Sequence, residues 1–167
     1  MRQIFVVGVG ILLLGVSGIY NIILANSKPV DLILQVHVDP PPPCSVTGSA
    51  VDFQTVNIND INGSNYRKDA GYTLSCPDRK ADDLRMQLRG NTTTINGEKV
   101  VDVGVPGFGI RIENADNNSL FSIGENNWTP FNITSQPKLN AVPVKQSGAQ
   151  LSGADFSGSL TMVVDYQ

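Results

Sequence analysis

The chain has 167 residues, 41% of them hydrophobic, and a formal net charge of −3, which bounds it to one domain once any targeting segment is set aside. Twelve basic residues against fifteen acidic ones, with no basic stripe, give no electrostatic reason to bind nucleic acid or anionic lipid. Partners of such a chain are met through backbone and apolar contacts.

Residues 1–25 read as a signal peptide. Arg2 supplies the positive start, an apolar stretch runs from Ile4 to about Ile19, and Ile22-Ile23-Leu24-Ala25 presents a small residue for cleavage. The apolar run is long for that role, so an uncleaved membrane anchor is the alternative. No cysteine follows it, and nothing supports a lipid anchor. Removing 1–25 takes away Arg2 alone, leaving 11 − 15 = −4 for residues 26–167.

The mature chain opens with a strand. Val30, Leu32, Leu34, Val36 and Val38 alternate onto one face, and His37 lies opposite. Pro40–Pro43 then end it, favouring an extended rod of about 3 Å per residue over a tight return. Cys44 follows directly, and Cys76 is the only other cysteine. In an exported chain two cysteines suggest one disulfide, worth roughly 3–4 kcal/mol in the chain-entropy model. Two buried free thiols are the alternative.

Short strands separated by polar turns fill the rest. Expected strands are Ala70–Cys76, Leu84–Leu88, Val101–Val105, Phe108–Ile112, Leu120–Ile123, Phe131–Ile133 and Leu139–Val144. Asn91 to Gly97 is turn-rich and ends in the hairpin signal Asn96-Gly97. Helical periodicity is weak, which argues for an all-β sandwich. The last strand is the clearest: Phe156, Gly158, Leu160, Met162, Val164 and Tyr166 alternate on one face, with only Gln167 after them.

That ending poses a problem. A long apolar-faced edge strand with nothing after it exposes backbone donors and a hydrophobic cleft, so the protein should aggregate unless another strand fills the cleft. The Val30–Val38 segment has the right character, but the proline rod sends it away from its own domain. Strand donation between molecules is a recurrent binding mode built on this physics.

At this point the chain resembles the pilin subunits of the chaperone–usher pathway, which build fimbriae of Gram-negative bacteria. The resemblance covers nearly the whole mature chain. It rests on the alternating extension ending at Pro43-Cys44, the second cysteine within "YTLSC" (Tyr72–Cys76), "FGIRI" (Phe108–Ile112), Gly153 some fourteen residues before the end, and the penultimate Tyr166 in "MVVDYQ". The resemblance implies an incomplete immunoglobulin-like sandwich completed by a donated strand. The implied division is 1–25 signal peptide, 26–43 donor extension with its proline linker, and 44–167 pilin domain. Its implied partners are a periplasmic chaperone that lends a strand beside Phe156–Tyr166, the outer-membrane usher, and neighbouring subunits in whose groove Val30, Leu32, Leu34, Val36 and Val38 would lie. Phe156, Leu160, Met162, Val164 and Tyr166 would wall the groove of this subunit, and Cys44 and Cys76 would form the disulfide. The protein would pass through the periplasm into a surface fimbria, with no cofactor and no small-molecule substrate. Two departures stand out: the extension lacks the usual internal glycine, and four prolines replace a one- or two-residue spacer. Both suit a minor subunit better than a shaft subunit.

Other readings are weaker. His37 has no second histidine to complete a catalytic or metal site. Asp82-Asp83 point to opposite faces on entering a strand and serve a turn better than acid–base chemistry. "GVPGFG" (Gly104–Gly109) lacks the lysine and helix of a phosphate loop and reads as a bend. Trp128 is the one candidate for stacking a sugar, which leaves a single-domain tip lectin as the alternative function.

Overall fold

The structure, a computed structural model, describes residues 44–167. The 1–25 segment, the Val30–Val38 extension with His37, and the Pro40–Pro43 rod lie outside the described residues.

The described residues form ten strands: β1 (Ser45–Gly48), β2 (Lys68–Asp69), β3 (Tyr72–Ser75), β4 (Asp83–Arg89), β5 (Thr92–Ile95), β6 (Glu98–Asp102), β7 (Phe108–Asn114), β8 (Thr129–Asn132), β9 (Leu139–Lys145) and β10 (Thr161–Tyr166). One 3-10 turn, Ile58–Asp60, is the only helical element among the described residues. The strands pair antiparallel into a five-stranded sheet (order β2-β9-β7-β6-β5), a three-stranded sheet (β10-β4-β8) and the pair β1-β3. The chain is an all-β sandwich.

Period-two alternation builds its core. β4 turns Leu84, Met86 and Leu88 inward, each at most 2% exposed, while Arg85 points out. β7 offers Phe108, Ile110 and Ile112 from the opposite layer. Burying each such side chain contributes roughly 1.5–3 kcal/mol. Cys44 and Cys76 form a disulfide that ties the start of β1 to the end of β3.

Several expected elements differ. Leu120–Ile123 makes no strand. Leu120 bridges Glu113 in one sheet and Ile123 bridges Leu88 in another, so these four residues cross between layers and no ladder can continue. The expected Val101–Val105 strand begins earlier, at Glu98, and ends at Asp102. There the Asp102 carboxylate accepts from Gly104 N at 2.9 Å, and Gly104 and Gly107 take φ of +79° and +76°, a turn that opposes extension. Residues 92–95, within the turn-rich interval, form β5. Asn96 and Gly97, at φ +50° and +86°, then close the β5–β6 hairpin as the sequence signal predicts.

The final strand is shorter than its alternation. β10 pairs with β4 from Thr161↔Arg89 to Tyr166↔Leu84, and β4 stops at Arg89. Residues 156–160 therefore have no neighbour to ladder with. They pass so close to Gly90 that a Cβ there would lie 2.6 Å from Ser159 O.

Candidate functional site

Among the described residues β1 hydrogen-bonds only to β3, and β10 only to β4. Each leaves one edge without a ladder partner among those residues, and the two edges border the same apolar groove. One wall runs through Val46, Val51, Phe53 and Val56; the other returns antiparallel from Met162 through Leu160 and Phe156 to Gly153. The floor is Leu88 from the three-stranded sheet and Val101, Val103, Ile110 and Ile112 from the five-stranded sheet and the turn that follows β6.

The groove has three sections. One of about 340 Å³ lies between Val46 and Met162 over Ile112 and Leu139. The middle one, about 350 Å³, lies between Val51 and residues 156–160 over Val101 and Ile110. The third is narrow, about 70 Å³, and is lined by Val56, Ile58, Ile61, Val105, Phe108, Leu151 and Gly153. Phe156 separates the middle section from the narrow one. Its ring meets Phe108 edge-on at 5.0 Å and Phe53 at 6.1 Å, a favourable aromatic geometry. Beyond it, Gly158 lies against the floor: a Cβ there would be 2.9 Å from both Asp102 O and Val101 Cγ1. Residues 156–160 thus settle onto the floor beside them.

Of the residues expected at this wall, Phe156, Leu160 and Met162 line the groove and are half-buried. Val164 is buried in the core, and the Tyr166 hydroxyl accepts from Lys80 N at 3.0 Å. Gly153 lines the narrow section, with open space where a side chain would stand. The opposite wall, Val46, Val51, Phe53 and Val56, escaped the sequence reading. Its apolar residues are irregularly spaced, and only the Val51–Phe53 pair shows the strand period.

The other candidates have structural surroundings. Arg85 Cζ sits 4.5 Å over the Trp128 ring, covering one face of the indole. Arg85 also donates to Asp165 at 2.8 Å across the β4–β10 ladder, and that hydrogen bond holds the Asp165 carboxyl below its usual range. Asp82 pairs with Arg79 at 2.7 Å within the turn before β4, and Asp83 accepts from Asn132 Nδ2 at 3.0 Å across the β4–β8 ladder, so both acids have structural partners. Burial pushes the Tyr72 phenol up to about 12 while it donates to Pro137 O. No group of three or more metal-ligating side chains gathers among the described residues.

The chain resembles known proteins along this same architecture. It is 59% identical over 167 residues to the fimbrial-like protein YfcR of Escherichia coli (strain K12), covering all of this chain and 97% of that one. It is 36% identical over 154 residues to YfcQ of the same organism, covering 86% and 91%. Among solved structures, the P pilus rod subunit PapA superposes with TM-score 0.55 at 21% identity over 75% of this chain and 99% of that one. The P pilus adaptor subunit PapF superposes at 0.53 and 24% over 75% and 97%. These superpositions show the immunoglobulin-like pilin fold. The model of the fimbrial protein family matches residues 32–167, and the chain belongs to that family.

Proposed function

We propose that this chain is a structural, non-enzymatic subunit of a fimbria on the surface of a Gram-negative bacterium, joined to its neighbours by donor-strand exchange and supporting adhesion. The observation that carries the reading is the groove: an apolar floor between two strand edges, each lacking a ladder partner on the groove side among the described residues. A ligand that satisfies both edges and fills the floor is an extended peptide with alternating apolar side chains, which is what strand addition requires. A nine-residue strand spans roughly 30 Å. Five apolar anchors bring a gross of roughly 7–15 kcal/mol before ordering costs.

On this reading residues 1–25 direct export, 26–43 form the donor extension and its linker, and 44–167 form the acceptor domain. Val30, Leu32, Leu34, Val36 and Val38 enter a neighbour's groove. Phe156, Leu160 and Met162 meet first the lent strand of a periplasmic chaperone and then, at the outer-membrane usher, the extension of another subunit. Val164 and Tyr166 hold that wall to the core. The departures of the extension favour a minor subunit. The tip-lectin alternative loses ground because Arg85 already covers a face of Trp128.

The test is a mixing experiment on the full chain purified from the periplasm with its chaperone. Synthetic 30–46 peptide and the extension peptides of neighbouring subunits are added, and chaperone release is followed by native gel. Release that leaves a stable protein–peptide complex supports the reading. A protein that is soluble and monomeric without any chaperone overturns it.

A further inference from the structure

Glu113, on β7, points away from the main core and is nevertheless fully buried. A buried carboxylate is costly unless it is well paired, and two guanidiniums pair it. Arg67 Nε donates to one oxygen at 2.9 Å, and Arg111 donates to the other. Arg111 also donates to Gly63 O at 2.7 Å and pairs with Glu98 at 3.3 Å. Both arginines therefore fasten the segment 57–67 to the outer face of the five-stranded sheet. Lys145, opposite Phe108 on the inner face of the same sheet, adds a third tie, donating from Nζ to Ile58 O at 2.8 Å.

The segment is knit within itself: Asn62 Oδ1 accepts from Ser64 N at 3.0 Å and from Asn65 N at 2.8 Å, Asn65 Nδ2 donates to Asp60 O at 2.9 Å, and Asn57 N donates to the Tyr66 hydroxyl at 3.1 Å. It holds one 3-10 turn and carries Tyr66 at φ +61°, an uncommon conformation for a bulky side chain, so the ties to the sheet place it as one unit. On its inner side Ile61 is buried in the core, and Ile58 and Ile61 wall the narrow section of the groove. One stretch of chain is thus tied by charge behind the sheet and presents apolar side chains to the groove in front.

We propose that the Glu113 cluster is a positioning device for the groove: by fixing residues 57–67 from the outer face, it sets the width of the narrow section and how readily a strand seats there. The proposal rests on the groove being a strand site.

The test compares Glu113→Gln with wild type, each as the full chain in complex with its chaperone. Hydrogen exchange is read along the chain, and uptake is timed for the 30–46 peptide and for versions shortened at one end or the other. The expected result is exchange faster by about tenfold or more at residues 57–67, with β4 and β8 unchanged. Uptake should change for the full peptide and for only one of the shortened ones, the one that still reaches the narrow section. Arg67→Gln, a milder change at a part-exposed side chain, should give the same pattern more weakly, and it keeps the test valid if the Glu113 variant does not fold. Asp165→Asn breaks an ion pair on the other sheet and should leave exchange at 57–67 within about twofold. Uniform acceleration along the chain, or no change at 57–67, overturns the proposal. If wild type takes up no strand peptide at all, the strand site itself is in question, while the exchange pattern still decides the role of Glu113.

Discussion

The five-stranded sheet and the groove are built from the same kinds of residue and finished differently. In the sheet, β9, β7 and β6 each have a neighbour on both sides, and Val100 and Val142 are fully buried among them. Even the outward face is partly covered: Glu113 is sealed by two arginines, and Ile95, Val100 and Val144 form a small second cluster. Along the groove, β1 and β10 each have one neighbour among the described residues, and Phe156, Leu160 and Met162 remain half-buried although their alternation is as regular as any in the chain. Apolar alternation therefore prepares a strand, but burial depends on a partner being present. Among the described residues that partner is missing along one line.

Substitutions on the two sides should separate them. Val142→Ala, on β9 of the finished sheet and outside the groove lining, is expected to cost about 1.5–3 kcal/mol in urea unfolding. Leu160→Ala, on the unfinished side, should cost less than about 1 kcal/mol yet slow uptake of a strand peptide, since its site is incompletely packed. Equal losses at both positions would erase the distinction. Cys44→Ser releases the start of β1 from β3 and should cost about 3 kcal/mol, read as a lower unfolding midpoint and a lower yield of folded chaperone complex. An unchanged midpoint would mean that the groove wall at β1 holds without the disulfide.

Smaller effects sharpen the picture. Gly158→Ala sets a methyl group against Asp102 O and Val101. The expected cost is about 1 kcal/mol, the low end for overpacking, because residues 157–160 can lift. Dye binding to the exposed groove should rise with it; a loss beyond about 3 kcal/mol would show that the segment is fixed rather than resting. The Arg85–Asp165 pair should matter least, about 0.2–1 kcal/mol at neutral pH, because both side chains are part-exposed. Its sign is set by the depressed Asp165 pKa: the contribution is present above the ordinary carboxylate range and disappears as pH falls through the folded value. Asp165→Asn should remove that part of the acid-side decline in stability and leave the alkaline side unchanged.

Much of the fold was legible because single-layer rules apply to it. Leu84, Met86 and Leu88 lie where period two puts them, and Asn96-Gly97 closes the hairpin it signals. The strand at 92–95 was not legible: its three threonines and one isoleucine become a strand by pairing with β6, a tertiary circumstance. Leu120–Ile123 looked like a strand because Leu120, Phe121 and Ile123 are apolar, yet a layer crossing that buries Phe121 and Ile123 and leaves Leu120 exposed reads the same way. Half of the groove, from Phe156 to Met162, was visible in the C-terminal alternation. The other half was not, because Val46, Val51, Phe53 and Val56 owe their shared wall to the path of the backbone.

The sequence by itself determined the all-β class, the turn positions and the apolar face of the last strand, since these depend on side-chain period and local backbone preference. Only the tertiary structure decided that Phe156 rests between Phe53 and Phe108, that the last strand begins only at Thr161, and that Glu113 is buried behind the sheet that floors the groove. Each of those depends on which segments lie side by side, and no local pattern encodes that.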